Sequence, residues 1–491
     1  MAPHVLVIPF PAQGHVTATV KLAELLFRAG LFVTFVNTEH IQNRLLGSSD
    51  PTFGRLSRLP NFRFCTIPDG LPEDDPRSLI DFARLEESLR TRSREHYREL
   101  LVPGGAGGRD AAGWPPRVTC VVADGLLALA LEVAEEMDVP VMLLRSTSAC
   151  SVWALCSIPK LVECGDIGIP EEVDMDGLVQ GVAGMESFLR RRDLPSVIRN
   201  VKSAADSYLQ FLIMINKNLS RSRALILNTT EYLDSLVLPH IATVCPVIYT
   251  VGPLQNLLRS FGSGHPSQEE DEDDGGASYS ASLWQKDMSC LKWLDSQPDK
   301  SVVYVSFGSI TVVSREELVE FWHGLVGSGR PFLWVIRPDM VEAGAETVPF
   351  ELETATRERG CLVAWAPQEE VLAHPSVGCF LTHSGWNSTL ESIVAGVPMI
   401  CWPFFADQQI NSRFVSEVWK VGVDMKDLCG RSVVEGMVRK VMDGGDVGEE
   451  LRKSATEMSH VARRAAEEGG SSYTNFQKLV DHIKSFELTN K

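Results

Sequence analysis

Short apolar runs that do not alternate constrain this chain more than any other feature. "HVLVIPF" (4–10), "FVTFV" (32–36), "VTCVVA" (118–123) and "VPVMLL" (139–144) carry apolar side chains at successive positions. Strands buried on both faces read this way, whereas a strand with one wet face alternates. Helical stretches separate them. In "VTATVKLAELLFRAG" (16–30), Leu22, Leu25 and Leu26 share one face, and Gly30 is available for the left-handed C-terminal position. Repeated strand–helix–strand units predict an α/β fold with a parallel doubly wound sheet. The pattern restarts after residue 300 with "SVVYVSFGS", "PFLWVIR", "GCLVAWAP", "VGCFLTH" and "VPMICWPF". A second such sheet is expected there.

The break between the halves is compositional. "FGSGHPSQEEDEDDGGASYSAS" (261–282) is acidic, glycine-rich and almost without large apolar groups, so it is expected to be a disordered loop. "GGAGGRDAAG" (104–113) reads as a second flexible insertion. The expected organisation is a Rossmann-like domain over 1–255, a flexible acidic linker over 256–285 and a second Rossmann-like domain over 286–470. A C-terminal helix over 471–491 is expected to pack back toward the first domain. Two such sheets facing each other would form a cleft at the carboxyl ends of their strands, where ligands bind.

Charge and cysteine usage narrow the class. A formal charge of −18 argues against nucleic-acid or anionic-membrane partners, which need a basic footprint. Small-molecule chemistry fits better. The N-terminus "MAPHVLVIPFPAQGH" lacks a basic leader, and Pro9 and Pro11 break its apolar run, so it reads as a first strand rather than a signal or an anchor. No run reaches the roughly 20 apolar residues of a membrane helix. Eleven cysteines without C-x-x-C pairs fit buried thiols in a reducing compartment. A cytoplasmic monomer without membrane insertion is expected.

One stretch is dense in hydrogen-bond donors. "HSGWNSTLE" (383–391) follows a strand, and a helix starting near Asn387 would set Leu390, Ile393 and Val394 on the sheet and end at Gly396. Helix N-termini offer N–H groups and about half a positive charge, which suits a phosphate. Gly385 permits close backbone approach, and His383, Asn387 and Ser388 add donors. A second reading is that "STLE" (388–391) is a capping box, with Ser388 and Glu391 only satisfying the helix end. Capping does not explain the neighbours: Trp365 ends one strand, and "FFADQQ" (404–409) follows another.

That combination resembles the signature box of plant family 1 UDP-dependent glycosyltransferases. It runs here from Trp365 to Gln408, "WAPQEEVLAHPSVGCFLTHSGWNSTLESIVAGVPMICWPFFADQ", and has the family's length of 44 residues. "PFPAQGH" (9–15), "VVADG" (121–125), "STSAC" (146–150), "VGPL" (251–254), "FGS" (307–309) and "GGSS" (469–472) extend the likeness over nearly the whole chain. The resemblance implies a GT-B fold, an N-terminal acceptor-binding domain and a C-terminal UDP-sugar-binding domain. Carried over by motif, Trp365 stacks on uracil while Gln368 and the Ala366 backbone read the base edge. Glu391 takes the ribose hydroxyls; His383, Gly385, Asn387, Ser388 and Ser309 hold the pyrophosphate. Trp386, Asp407 and Gln408 bind the sugar. Ser384 stands where relatives often have Cys.

The implied reaction transfers a hexose, most simply glucose, from UDP-sugar to a hydroxyl or carboxyl of a small apolar metabolite, with inversion at the anomeric carbon. His15 in "PAQGH" is the implied general base, with Asp124 orienting its imidazole. The helix is expected to begin at Val16, leaving His15 in the loop before it. Ser146 stands where relatives place Thr near the sugar. Departing UDP is stabilised electrostatically, and no metal or other cofactor is expected, because no D-x-D with a plausible metal-binding context falls in either core and the D-E-D at 271–273 lies in the acidic loop. The acceptor pocket is expected from segments near 80–95, 145–155 and 185–210. Two further readings stay open: a sugar-nucleotide epimerase of related fold and a non-catalytic nucleotide-sugar binder. A nicotinamide dehydrogenase is disfavoured, since neither half has G-x-G-x-x-G after its first strand.

Overall fold

In the computed structural model, the described residues are 2–48, 51–73, 75, 77, 82–102, 116–167, 174–262, 282–341, 356 and 359–489. The insertion at 104–113 and most of the acidic stretch, 263–281, lie outside them. By contacts the chain divides into two units. The first comprises Met1–Lys160, Ser203–Trp284 and Arg464–Lys491; the second comprises Leu161–Lys202 and Gln285–Arg463. The segment 161–202 therefore groups with the second half of the sequence, although it falls inside the 1–255 range read from composition.

Unit 1 holds a seven-stranded sheet of β1 (His4–Ile8), β2 (Phe32–Thr38), β3 (Phe62–Ile67), β4 (Val118–Asp124), β5 (Val141–Arg145), β6 (Ala224–Leu227) and β7 (Ile248–Thr250). Their order is β3-β2-β1-β4-β5-β6-β7, with all neighbours parallel. The helix Gln13–Arg28 covers one face. Its Val16, Leu22, Leu25 and Leu26 join Val5, Val7, Val33 and Phe35 in a core that Phe476, Leu479 and Ile483 of the C-terminal helix complete. This helix begins at Gln13, three residues before the expected start. Ala12 is extended at φ −137° as its N-cap, and Pro11 cannot continue a helix upstream. His15 is thus fixed in the first helical turn and not in a loop.

Unit 2 holds six parallel strands: β8 (Val302–Ser306), β9 (Phe332–Val335), β10 (Gly360–Val363), β11 (Val377–Thr382), β12 (Met399–Cys401) and β13 (Gly422–Asp424). Their order is β10-β9-β8-β11-β12-β13. The helix Trp386–Ala395 follows β11 and ends at Gly396, which takes φ +71°, the left-handed conformation that closes a helix. Two parallel doubly wound sheets make this a GT-B fold.

A buried ionic knot anchors the segment 161–202 within unit 2. Asp193 is fully buried, with Lys426 Nζ at 2.5 Å, Arg190 Nη2 at 3.0 Å and Arg413 Nε at 3.3 Å. Burial resists its ionisation, but the Lys426 charge and the Arg190 hydrogen bond outweigh that and hold the carboxyl below its usual range. Arg413 also donates to the Phe188 carbonyl at 2.9 Å, and the Phe188 ring meets Phe414 edge-on at 5.4 Å. All eleven cysteines are free thiols. Among the described residues no helix is long and apolar enough to cross a membrane.

Candidate active site

Each sheet reverses its strand order once, and the residues with chemical claims gather beside those two points. In such sheets the crevice at the reversal is where backbone and side chains can reach a ligand. In unit 1 the reversal lies between β1 and β4. The chain leaving β1 enters the helix that carries His15, and Asp124 is the last residue of β4.

His15 Nδ1 stands 2.7 Å from Asp124 Oδ2. Asp124 is buried, and its other oxygen accepts the Leu126 N–H at 2.9 Å. An ionised carboxylate only accepts, so Nδ1 must bear the proton, and the lone pair of the neutral ring sits on Nε2. Ser146, the residue after β5, brings Oγ within 2.7 Å of the same Nδ1. Motif comparison gives Ser146 to the sugar; its hydroxyl here meets the imidazole.

Aromatic rings extend from His15. Phe10 packs against the imidazole with centroids 5.4 Å apart, Phe82 meets Phe10 at 6.3 Å, and Tyr208 and Phe211 close on Phe82 at 5.0 and 5.5 Å. Phe82, Tyr208 and Phe211 remain half-buried. Phe82 and Tyr208 come from two of the three segments expected at an acceptor pocket. Phe211 lies just beyond them, on the outward side of "FLIMI", and no local pattern marks it.

In unit 2 the reversal lies between β8 and β11. Ser309 follows β8 in a turn that Arg337 clamps: the buried guanidinium donates to the Gly308 carbonyl and, at 2.8 Å, to the Thr311 carbonyl. Nothing in the local sequence singles out Arg337. After β11 comes His383, and burial is the main cause pushing its pKa down to about 4, with an opposing hydrogen bond at the Ser306 backbone. At neutral pH this histidine is an uncharged hydrogen-bonding group. Ser384 takes the left-handed φ of +64°, a conformation costly for a residue with a Cβ. Its N–H reaches Thr382 Oγ1 at 3.2 Å, and its carbonyl accepts from Asn411 Nδ2 at 2.9 Å, which holds the turn.

Helix Trp386–Ala395 has Gly385 as its N-cap, so Ser388 is its third residue and not its cap. The first backbone bond of the helix runs from Thr389 to the Gly385 carbonyl at 2.9 Å. The capping-box reading fails, because Ser388 and Glu391 serve a different partner. Gln368 Nε2 donates to Ser388 Oγ at 2.8 Å and to Glu391 Oε2 at 2.7 Å, while Tyr304 donates to Gln368 Oε1 at 3.2 Å. Trp365 and Ala366 immediately precede this network, and the Trp365 carbonyl is fixed by the Asp287 N–H at 2.8 Å. Asn387 is half-exposed in the first turn.

The sugar-assigned residues stand at helix starts, Trp386 and Gln408 as first residues and Asp407 as the N-cap before Gln408. Asn411 links Asp407, at 3.0 Å, to Ser384. Gln408 Oε1 accepts the N–H groups of Phe404 and Phe405 at 2.7 and 3.0 Å, which leaves the Nε2 end of this buried amide as its possible sugar contact. The Trp386 indole is buried, 5.9 Å from the Trp419 ring. Among the described residues no group of three His, Cys, Asp or Glu side chains is placed to hold a metal ion.

A GT-B fold with a donor-rich turn and helix at one reversal and a histidine–aspartate pair at the other defines a nucleotide-sugar-dependent glycosyltransferase. Comparison with known proteins agrees. Residues 266–454 match the family model "UDP-glucoronosyl and UDP-glucosyl transferase". The chain is 56% identical over 485 residues to a myricetin 3-O-rhamnoside 1,2-glucosyltransferase of Crocosmia x crocosmiiflora, covering 99% of this chain and 96% of that one. It is 47% identical over 487 residues to a 7-deoxyloganetic acid glucosyltransferase of Catharanthus roseus, covering 99% and 98%. Os79 from O. sativa, solved in complex with UDP, superposes with a TM-score of 0.79 at 28% identity, over 98% of this chain and 100% of that one. The chain belongs to the plant family 1 UDP-dependent glycosyltransferases. It is therefore an enzyme of glucosyl transfer to small plant metabolites, and neither the epimerase nor the non-catalytic reading is favoured.

Proposed function

We propose that this enzyme transfers glucose from UDP-glucose to a hydroxyl of a small, ring-bearing apolar metabolite, with inversion at the anomeric carbon and without a metal ion. The 2.7 Å contact between His15 Nδ1 and Asp124 carries the reading, because it orients Nε2 as a base. The acceptor O–H gives its proton to Nε2 while its oxygen attacks C1 of the sugar. The C1–O bond to the diphosphate breaks, and UDP leaves with the electron pair. Asp124 stabilises the imidazolium that forms. Departing UDP is stabilised by the N-terminal turn of helix Trp386–Ala395 with His383, Asn387, Ser388 and Ser309. Trp365, Ala366, Gln368 and Glu391 take the nucleoside. Trp386, Asp407 and Gln408 take the glucose.

Support for a ring-bearing acceptor comes from Phe10, Phe82, Tyr208 and Phe211 beside the base. Stacked or edge-on contact with flat rings is what such a cluster offers. The two relatives named above act on a myricetin rhamnoside and on 7-deoxyloganetic acid. One chain carries both halves of the machinery, which supports action as a monomer, and its eleven free thiols support a reducing, cytoplasmic setting. The test is an acceptor panel incubated with UDP-glucose and read by mass spectrometry. Glucosides should form from phenolic and terpenoid alcohols, and the His15→Ala protein should form almost none. Free glucose alone, or equal product from His15→Ala, would overturn the assignment.

A further inference from the structure

Tyr304 touches none of the residues that motif comparison assigns to the base or the phosphates except one, and through that one it reaches two more. It lies on β8, is almost fully buried, and stacks on Phe380 of β11 with ring centroids 4.8 Å apart and planes 16° from parallel. Burial is the main cause raising its pKa, so the phenol stays protonated and remains a donor, with the Ser306 hydroxyl beside it. Its O–H donates to Gln368 Oε1 at 3.2 Å.

That bond sorts the two ends of the Gln368 amide. A carboxylate cannot donate, so the amide end facing Glu391 must be nitrogen, and the end facing Tyr304 is then the oxygen. Both Nε2 protons are committed, one to Glu391 Oε2 and one to Ser388 Oγ. Ser388 therefore accepts from Gln368, and its own proton is directed elsewhere as a donor. The Glu391 carboxylate is held in one rotamer by a charge-assisted bond. Ser388 and Glu391 stand three positions apart on one helix face, so a single amide sets both.

We propose that Tyr304 is a positioning residue for the donor nucleotide: through the Gln368 amide it fixes Glu391 for the ribose hydroxyls and Ser388 for the diphosphate. This rests on the donor-site reading above. Loss of the phenol hydroxyl would leave Gln368 Oε1 without this donor and let the amide turn, so the ribose contact would suffer first.

The test is calorimetric titration of UDP and 2′-deoxy-UDP into the full chain and into Tyr304→Phe, which keeps the ring stack. The unmodified protein should prefer UDP. Tyr304→Phe should raise the UDP dissociation constant roughly tenfold and that of 2′-deoxy-UDP by no more than about twofold, so the preference narrows. Equal weakening of both nucleotides would mark a merely structural role and overturn the proposal, as would unchanged UDP binding. Gln368→Met provides the second arm: in that background Tyr304→Phe should have no further effect on the preference, and additive losses would sink the idea. Equal affinity of the unmodified protein for the two nucleotides would instead remove the ribose reading, and this inference with it.

Discussion

The imidazole of His383 occupies the space that a side chain on Gly385 would need: a Cβ built there would lie 2.5 Å from Nε2. A Cβ built on Gly308, whose φ is +74°, would lie 2.4 Å from the same Nε2. Gly385 itself has φ −60°, which any residue adopts. Its side-chain-free character therefore serves the histidine and not the backbone conformation.

Gly385→Ala should accordingly displace an imidazole whose Nε2 end is also crowded by Gly308. We expect UDP affinity to fall at least about tenfold and stability to drop by roughly 1–3 kcal/mol, the usual cost of overpacking. Calorimetry with UDP and thermal melting would measure both. Unchanged values for the two would show that the ring can move aside.

His15→Ala should lower kcat by about 10²–10⁴ with an alcohol acceptor and leave UDP affinity nearly unchanged, because the base acts on the acceptor. Asp124→Asn should slow the enzyme less. A phenol, already more acidic, should be less sensitive to both substitutions. Steady-state rates with a matched phenol and alcohol would decide, and equal sensitivity of the two acceptors would remove His15 from the proton transfer.

Gln408 is expected to favour UDP-glucose over UDP-galactose. Its Oε1 is committed to the Phe404 and Phe405 amides, so discrimination would come from the Nε2 end. Gln408→His should lower kcat/KM for UDP-glucose by about tenfold or more, since it loses a sugar donor and a turn bond together. It need not create galactose transfer. Competition between the donors would test this, and an unmodified enzyme that used UDP-galactose equally well would refute it.

Asp234 gives a stability prediction with a defined sign. Burial raises its pKa from 3.8 to about 7, while Thr229 Oγ1 donates to Oδ2 at 2.5 Å. The folded chain keeps a proton that the unfolded chain releases near pH 4. This contribution is complete below the unfolded value and is lost as pH rises through about 7. Over that window it amounts to something on the order of 4 kcal/mol. Asp234→Asn should flatten the fall in Tm between pH 5 and 8 to which this group contributes, as melting curves across that range would record. A slope identical to that of the unmodified protein would refute the account.

Turnover should survive EDTA, because the residues assigned to UDP supply hydrogen bonds and a helix terminus rather than metal ligands. Rates measured before and after chelation suffice. Abolition by EDTA with rescue by a divalent ion would overturn the electrostatic account.

Strands buried on both faces were legible because periodicity is local: β1, β2, β4, β5 and β8–β12 all fall on apolar runs read from the chain. β12 is as short as β7 and β13, three residues each, but it sits inside the run "VPMICWPF"; no such run marked the other two, and the edge strand β3 carries Arg63. The start of the first helix was misread because nothing in "PAQGH" caps it through a side chain. His15 and Asp124 are 109 residues apart, and only motif resemblance paired them. Tyr304 and Gln368 are separated by 64, and a buried tyrosine in an apolar strand looks like packing. Arg337 was invisible too: besides Asp339 at 3.0 Å, its partners are the Gly308 and Thr311 carbonyls, and backbone acceptors leave no trace in a sequence.

The Asp193 knot has a practical consequence for recombining this enzyme with its relatives. A chimera joined once, near residue 255, would inherit Arg190 and Asp193 from one parent and Arg413 and Lys426 from the other. A mismatch there strands a buried charge, which costs several kcal/mol. The second unit is discontinuous, 161–202 with 285–463, and exchanging it whole takes crossovers at four places along the chain, near 160, 202, 284 and 463.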